Sequence, residues 1–81
     1  MTDVFAAVAH LIEQVTDIPA DEIGADDLFE TLDNWTSFAA LRLLLGIEER
    51  FGIRLDLREY LALAKVGELV GVVSDRSAAA A

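Results

Sequence analysis

No cysteine occurs in the 81 residues, which excludes disulfides, thiolate-bound zinc and a protein thiol nucleophile. Histidine occurs once, as His10, off the apolar stripe of its helix, where it reads as solvated surface. A nucleophilic serine needs a base within reach, and a lone histidine has no co-ligand pattern for a metal. Lysine and arginine are missing from residues 1–41, which hold nine acids, while residues 42–81 hold six charges of each sign, for a net charge of −9. With no phosphate-neutralising patch, nucleic acid is not expected as a partner. The acidity serves solubility or steers the chain toward basic proteins.

Long apolar runs are also missing. The longest, FAALRLLLGI, contains Arg42 and falls short of the roughly 20 residues that cross a bilayer. The N-terminus MTDVFAAVAHLIEQ carries acids where a secretory signal carries basic residues, so a cytoplasmic protein is expected. There is no glycine-rich phosphate loop, and Asp21, Glu22, Asp26 and Asp27 lack the ligand spacing and turn glycine of a calcium loop. No catalytic and no metal-ligating residue is assigned.

What the chain does contain is 54% hydrophobic residues, enough for a core in one small domain. Val4, Phe5, Val8, Leu11, Ile12 and Val15 share one helical face, with Thr2 or Asp3 as cap and an end near Asp17, because Ile18 precedes Pro19. Residues 18–36 form a long connection anchored by Ile23, Leu28, Phe29 and Leu32, with a helical turn expected at Asp26–Glu30. A second helix runs from Ser37 to about Arg50, with Phe38, Leu41, Leu44 and Leu45 clustered with Glu48 and the buried face widened by Leu43 and Ile47. Gly52 stops it. Ile53 and Leu55 anchor an extended link, Leu57–Leu63 form a short helix, and a last helix covers Lys65 to about Asp75 with Val66, Leu69, Val70 and Val73 inward. The expectation is an all-α domain over residues 1–76, a small bundle of three principal helices plus a short one with a long first loop, followed by a frayed tail at 77–81.

The stretch LDNWTSFAALRLL, Leu32 to Leu44, sets Asp33, Asn34, Thr36 and Ser37 against an apolar helix. Any of them can cap it, and one would suffice. Helix N-termini favour anions through unpaired N–H groups and the macrodipole, so a phosphoester on Ser37 would sit in a favourable field. The plainer reading is that Ser37 or Thr36 is only an N-cap.

From this junction onward the chain resembles the acyl carrier protein family. Ser37-Phe38-x-x-Leu41 is similar to the family's attachment motif, GIEERFGIRL to its second-helix ending, and Lys65-Val66-x-x-Leu69-Val70 to the start of its last helix. Upstream, DIPADEIGADDLFETL resembles its first loop. The resemblance covers about residues 2–75 and implies that Ser37 carries 4′-phosphopantetheine, added from coenzyme A by a phosphopantetheinyl transferase using magnesium. The arm's thiol would supply what the absent cysteine cannot, and partner enzymes that load and process acyl or aminoacyl groups would supply the chemistry. Short acyl chains are expected to shelter near Leu44, Leu45, Leu63 and Val66.

The chain departs from the family at Thr36, where aspartate is usual, at the inserted Trp35, and at Arg42, where the helix surface is often acidic. Trp35 either covers the top of the bundle or flanks the arm. Asp33, Trp35, Thr36, Phe38, Arg42 and Glu48 are the expected partner-binding residues. The glycines that usually precede the serine in peptidyl carriers are absent, and a chain starting at Met1 reads as a discrete, monomeric carrier of a specialised biosynthetic pathway. The rival reading is an unmodified helical adaptor that kept the bundle and lost the cargo.

Overall fold

The computed structural model describes residues 3–80, with only the backbone for Ala79 and Ala80. Helix α1 spans Val4–Thr16, and the Asp3 carboxylate caps it by accepting the Ala6 N–H at 3.2 Å; Thr2, the other cap candidate, lies outside the described residues. It ends at Asp17, which takes the left-handed conformation at φ 65°. Helix α2 spans Ser37–Phe51 and stops at Gly52, also left-handed at φ 65°. Helix α3 spans Leu57–Ala62 behind an Asp56 cap, and α4 spans Val66–Ala80. Between α1 and α2 lie 3₁₀ turns at Ala20–Glu22 and Phe29–Thr31. The architecture is the expected all-α bundle, although the turn expected at Asp26–Glu30 lies later, at Phe29–Thr31, and the one at Ala20–Glu22 is new. None of the described helices is long and apolar enough to cross a membrane.

The core joins Val8, Ala9 and Ile12 of α1 to Ala40, Leu43, Leu44 and Ile47 of α2 and to Val66, Leu69 and Val73 of α4. Of the expected anchors in the connections, Ile23, Phe29 and Ile53 are buried, whereas Leu28, Leu32 and Leu55 are only half-buried. The inward face of α2 differs from expectation. Phe38, Leu41 and Leu45 are 71%, 46% and 65% exposed. The helix carries two apolar stripes, one at 39/40/43/44/47 and one at 38/41/45, and helical periodicity alone does not say which faces in. Burial of Ala39 and Ala40 resolves it: small residues let α2 approach its neighbours closely, and this turns the larger Phe38 and Leu45 outward.

The first loop is stitched to the start of α4 by three backbone bonds: Phe29 N–H to Ala64 O at 2.9 Å, Val66 N–H to Asp27 O at 3.0 Å, and Gly67 N–H to Ala25 O at 2.8 Å. A Cβ on Gly67 would lie 3.0 Å from the Ala25 carbonyl oxygen, so any larger residue would press on the seam, which favours glycine there despite its helical cost. Helix α4 continues past Asp75 because serine and then alanines, the best helix formers, follow; Ala81 lies outside the described residues.

Acids hold the remaining links. Glu13 accepts the Ala20 N–H at 3.3 Å, Asp27 the Gly24 N–H at 2.8 Å, Glu48 the Leu55 N–H at 3.0 Å, and Asp56 the Glu59 N–H at 3.0 Å. Glu68 accepts both the Ala64 N–H at 2.9 Å and the Lys65 N–H at 2.8 Å, the reach-back half of a capping box. The Lys65 and Ala64 amides hold its carboxyl below the usual carboxylate range. A depressed folded pKa contributes stability above the unfolded value, and that contribution is lost as pH falls through the folded one. Urea midpoints of wild type and Glu68→Gln should therefore differ near neutrality and converge only as pH falls below the ordinary carboxylate range.

Candidate functional site

Thr36 ends the long connection in extended conformation, φ −132° and ψ 169°, and its hydroxyl accepts the Ala39 N–H at 3.0 Å. Its carbonyl accepts the Ala40 N–H at 2.9 Å. Thr36 is thus the N-cap, and Ser37 is the first helical residue, exposed to solvent. The hydrogen bonds of the junction go to Thr36 and Asn34, and the Ser37 hydroxyl takes part in none of them. An oxygen placed there lies beside the unpaired N–H groups of the first turn, where negative charge is stabilised.

The junction is held from two sides. Asn34 adopts φ 63°, a left-handed conformation that its short polar side chain tolerates, and its Nδ2 donates to the Thr16 carbonyl at 2.9 Å. That carbonyl is one of the orphan acceptors at the end of α1. Thr16 is itself buried, its hydroxyl donating to Ile12 O at 2.8 Å and accepting from the Ile18 N–H at 3.2 Å. On the other side Trp35, half-buried, stacks on Phe29 with centroids 4.9 Å apart and ring planes at 24°. Phe29 in turn is bonded through its N–H to Ala64.

Beneath this stack lies a cavity of about 70 Å³ lined by Phe29, Trp35, Ala40, Tyr60, Leu61 and Leu63. The Tyr60 hydroxyl crosses from α3 to α2 and donates to the Ala40 carbonyl at 2.6 Å. Burial pushes the Tyr60 phenol well above its usual range, so the hydroxyl remains protonated and a donor. Short acyl chains are expected to shelter near Leu44, Leu45, Leu63 and Val66, and one of these four residues lines this cavity. Leu44 and Val66 are buried in the packed core, Leu45 faces outward, and Leu63 lines this cavity.

Of the residues singled out from the sequence, Asp33, Trp35, Thr36, Ser37 and Phe38 are neighbours along the chain at one end of the bundle. Arg42 lies one turn on from Phe38, its guanidinium 5.7 Å from the centre of the Phe38 ring, and it borders a groove with Leu11, Leu45 and Glu49. Glu48 stands apart. It is half-buried and its carboxylate closes the link after α2, which sequence distance alone did not reveal. Asn34 is one of the four cap candidates in the sequence, but its clamp onto Thr16 is not evident there, and neither Thr16 nor Tyr60 stands out as part of the site. A short polar residue in a turn hints at the left-handed position of Asn34; the pairing of Tyr60 with Ala40, twenty residues away, leaves no local signal.

Residues 6–73 match the family described as Phosphopantetheine attachment site. No curated protein matches the chain.

The Asn34 clamp can be measured apart from its backbone conformation. Asn34→Gly retains access to positive φ, removes the bond to Thr16 and loosens the unfolded chain, so urea unfolding should show a loss of about 1–2 kcal/mol. Asn34→Ala should lose about 1 kcal/mol more from left-handed strain.

Proposed function

The chain belongs to the phosphopantetheine attachment-site family, and from that premise we propose that Ser37 is the residue bearing the 4′-phosphopantetheine that the family carries covalently. One observation carries the assignment. The matched span contains five hydroxyl side chains, Thr16, Thr31, Thr36, Ser37 and Tyr60. Thr16, Thr31 and Tyr60 donate to carbonyls, and Thr36 holds the helix cap. The Ser37 hydroxyl is exposed and uncommitted, and its position fits the group because the helix field favours a phosphodiester there.

The usual aspartate before the serine is replaced by Thr36 without loss of the capping function. In loading, the Ser37 oxygen takes the phosphopantetheinyl phosphorus of coenzyme A; the bond to adenosine 3′,5′-bisphosphate breaks and the hydroxyl proton passes to the transferase. When bound, the arm supplies a terminal thiol that carries acyl groups as thioesters. The chain's own residues hold the arm's root in place and provide a surface for the enzymes that act on it. That surface is the outward stripe of α2, Phe38, Leu41 and Leu45, with Arg42 beside it and Asp33 before it. Arg42 and Trp35 favour partners of a specialised acyl or aminoacyl pathway, which the chain serves as cosubstrate and not as catalyst.

Intact mass spectrometry after incubation with a phosphopantetheinyl transferase, coenzyme A and magnesium should show one added arm on wild type and none on Ser37→Ala or Ser37→Asp. A chain that stays unmodified with several transferases is an adaptor. Ser37→Ala should alter stability by less than about 0.5 kcal/mol, because Thr36 holds the cap, whereas Thr36→Ala should cost about 1 kcal/mol. Phe38→Ala should raise the apparent KM for transferase loading several-fold while leaving Tm nearly unchanged, since the ring is mostly exposed.

A further inference from the structure

We propose that Tyr60 is a specificity-determining residue that limits the cargo to short acyl groups, an inference that rests on Ser37 being the attachment site. The cavity under Trp35 is small and has a fixed floor. Tyr60 is buried, and its hydroxyl is pinned to the Ala40 carbonyl at 2.6 Å. Ala40 lies in the first turn of α2, one turn beyond Ser37, so the phenol ring lies as a bar across the gap between α2 and α3. Tyr60 belongs to the same packed core as Leu43, Val66 and Leu69, which are fully buried.

The space in front of the bar measures about 70 Å³. An apolar cavity of about 150 Å³ accepts benzene, six carbons, so this one holds roughly three non-hydrogen atoms. Its walls are the Trp35–Phe29 stack on one side and Leu61 and Leu63 on the other. The same four side chains line an open cleft of about 320 Å³ that continues past Glu30 and Ala64. A group of roughly two to four carbons fits against the bar with its thioester at the mouth. A longer chain meets the phenol and must lie along the open cleft, where it leaves apolar surface in water and its thioester exposed.

The test loads wild type, Tyr60→Leu and Tyr60→Phe with acetyl, butyryl, hexanoyl and octanoyl groups, using a promiscuous transferase and the matching acyl-coenzyme A. Intact mass first establishes one acyl arm per chain; a chain that cannot be loaded removes this proposal together with the Ser37 reading. Cleavage of the thioester by hydroxylamine is then timed, and the emission of Trp35, the sole tryptophan, is recorded. In wild type, cleavage of the butyryl form should be at least threefold slower than that of the octanoyl form, and the Trp35 emission maximum should shift for the short groups only. Tyr60→Leu, which deepens the cavity, should move the slowest cleavage to hexanoyl or octanoyl. Tyr60→Phe keeps the ring and should keep the wild-type order. Protection that rises steadily from acetyl to octanoyl in wild type overturns the proposal, and this arm does not depend on any variant folding. An unchanged length profile in folded Tyr60→Leu also overturns it.

Discussion

One hydrogen bond sets the terms for the rest of the site: the Thr36 hydroxyl accepts the Ala39 N–H at 3.0 Å. A helix start offers several N–H donors with no partner inside the helix, and the neighbouring oxygens compete for them. With Thr36 in extended conformation and its oxygen turned onto the first turn, the cap position is filled one residue before Ser37. Ser37 therefore enters the helix with its side chain outside the bonding scheme. If the cap were shifted one residue later, the same serine would be an internal fitting of the helix, with its oxygen withdrawn from solvent. Thr36 holds this register only because Asn34 and Trp35 fix the chain ahead of it, one to the end of α1 and the other to Phe29.

Much of the fold was legible in the sequence because its elements are announced locally. Asp3, Pro19, Gly52 and Asp56 punctuate the chain where the helices begin and end, and each acts through its own backbone neighbourhood. The anchors Ile23, Phe29 and Ile53 stand out as apolar residues in polar surroundings, and all are buried. What failed was the facing of α2. Two stripes of similar hydrophobicity run along it, and the choice between them rests on how closely Ala39 and Ala40 approach the other helices, a property of the assembled bundle. Helix α4 runs past Asp75 because the alanine-rich end of the chain favours helix, and Gly67, a weak helix former by propensity, sits where the carbonyl of Ala25 packs against it.

The candidate site divides in the same way. Thr36 and Ser37 sit beside one another in the chain, and cap chemistry marks them out as a pair in the sequence alone. The cavity does not arise from neighbours. Its walls come from the first loop, the start of α2 and the short helix α3, and one of them, Tyr60, carries a hydroxyl bonded to a carbonyl in another helix. No periodicity encodes such a bond. Glu48 illustrates the converse: an acid that reads as free surface charge is occupied by the Leu55 amide, because the extended link folds back on the helix it follows.

That last case extends to the acidity of the whole chain. Of its fifteen acids, at least six, Asp3, Glu13, Asp27, Glu48, Asp56 and Glu68, hold a backbone amide of a helix start or a loop. Lysine or arginine cannot accept those amides at all, so sequence drift toward neutrality is open at positions such as Asp21, Glu22 and Asp26 and obstructed at these six. A lineage of this protein that exchanged its partners for ones preferring a neutral surface would still retain a negative residue of charge, a relic of its loops and independent of whatever it meets.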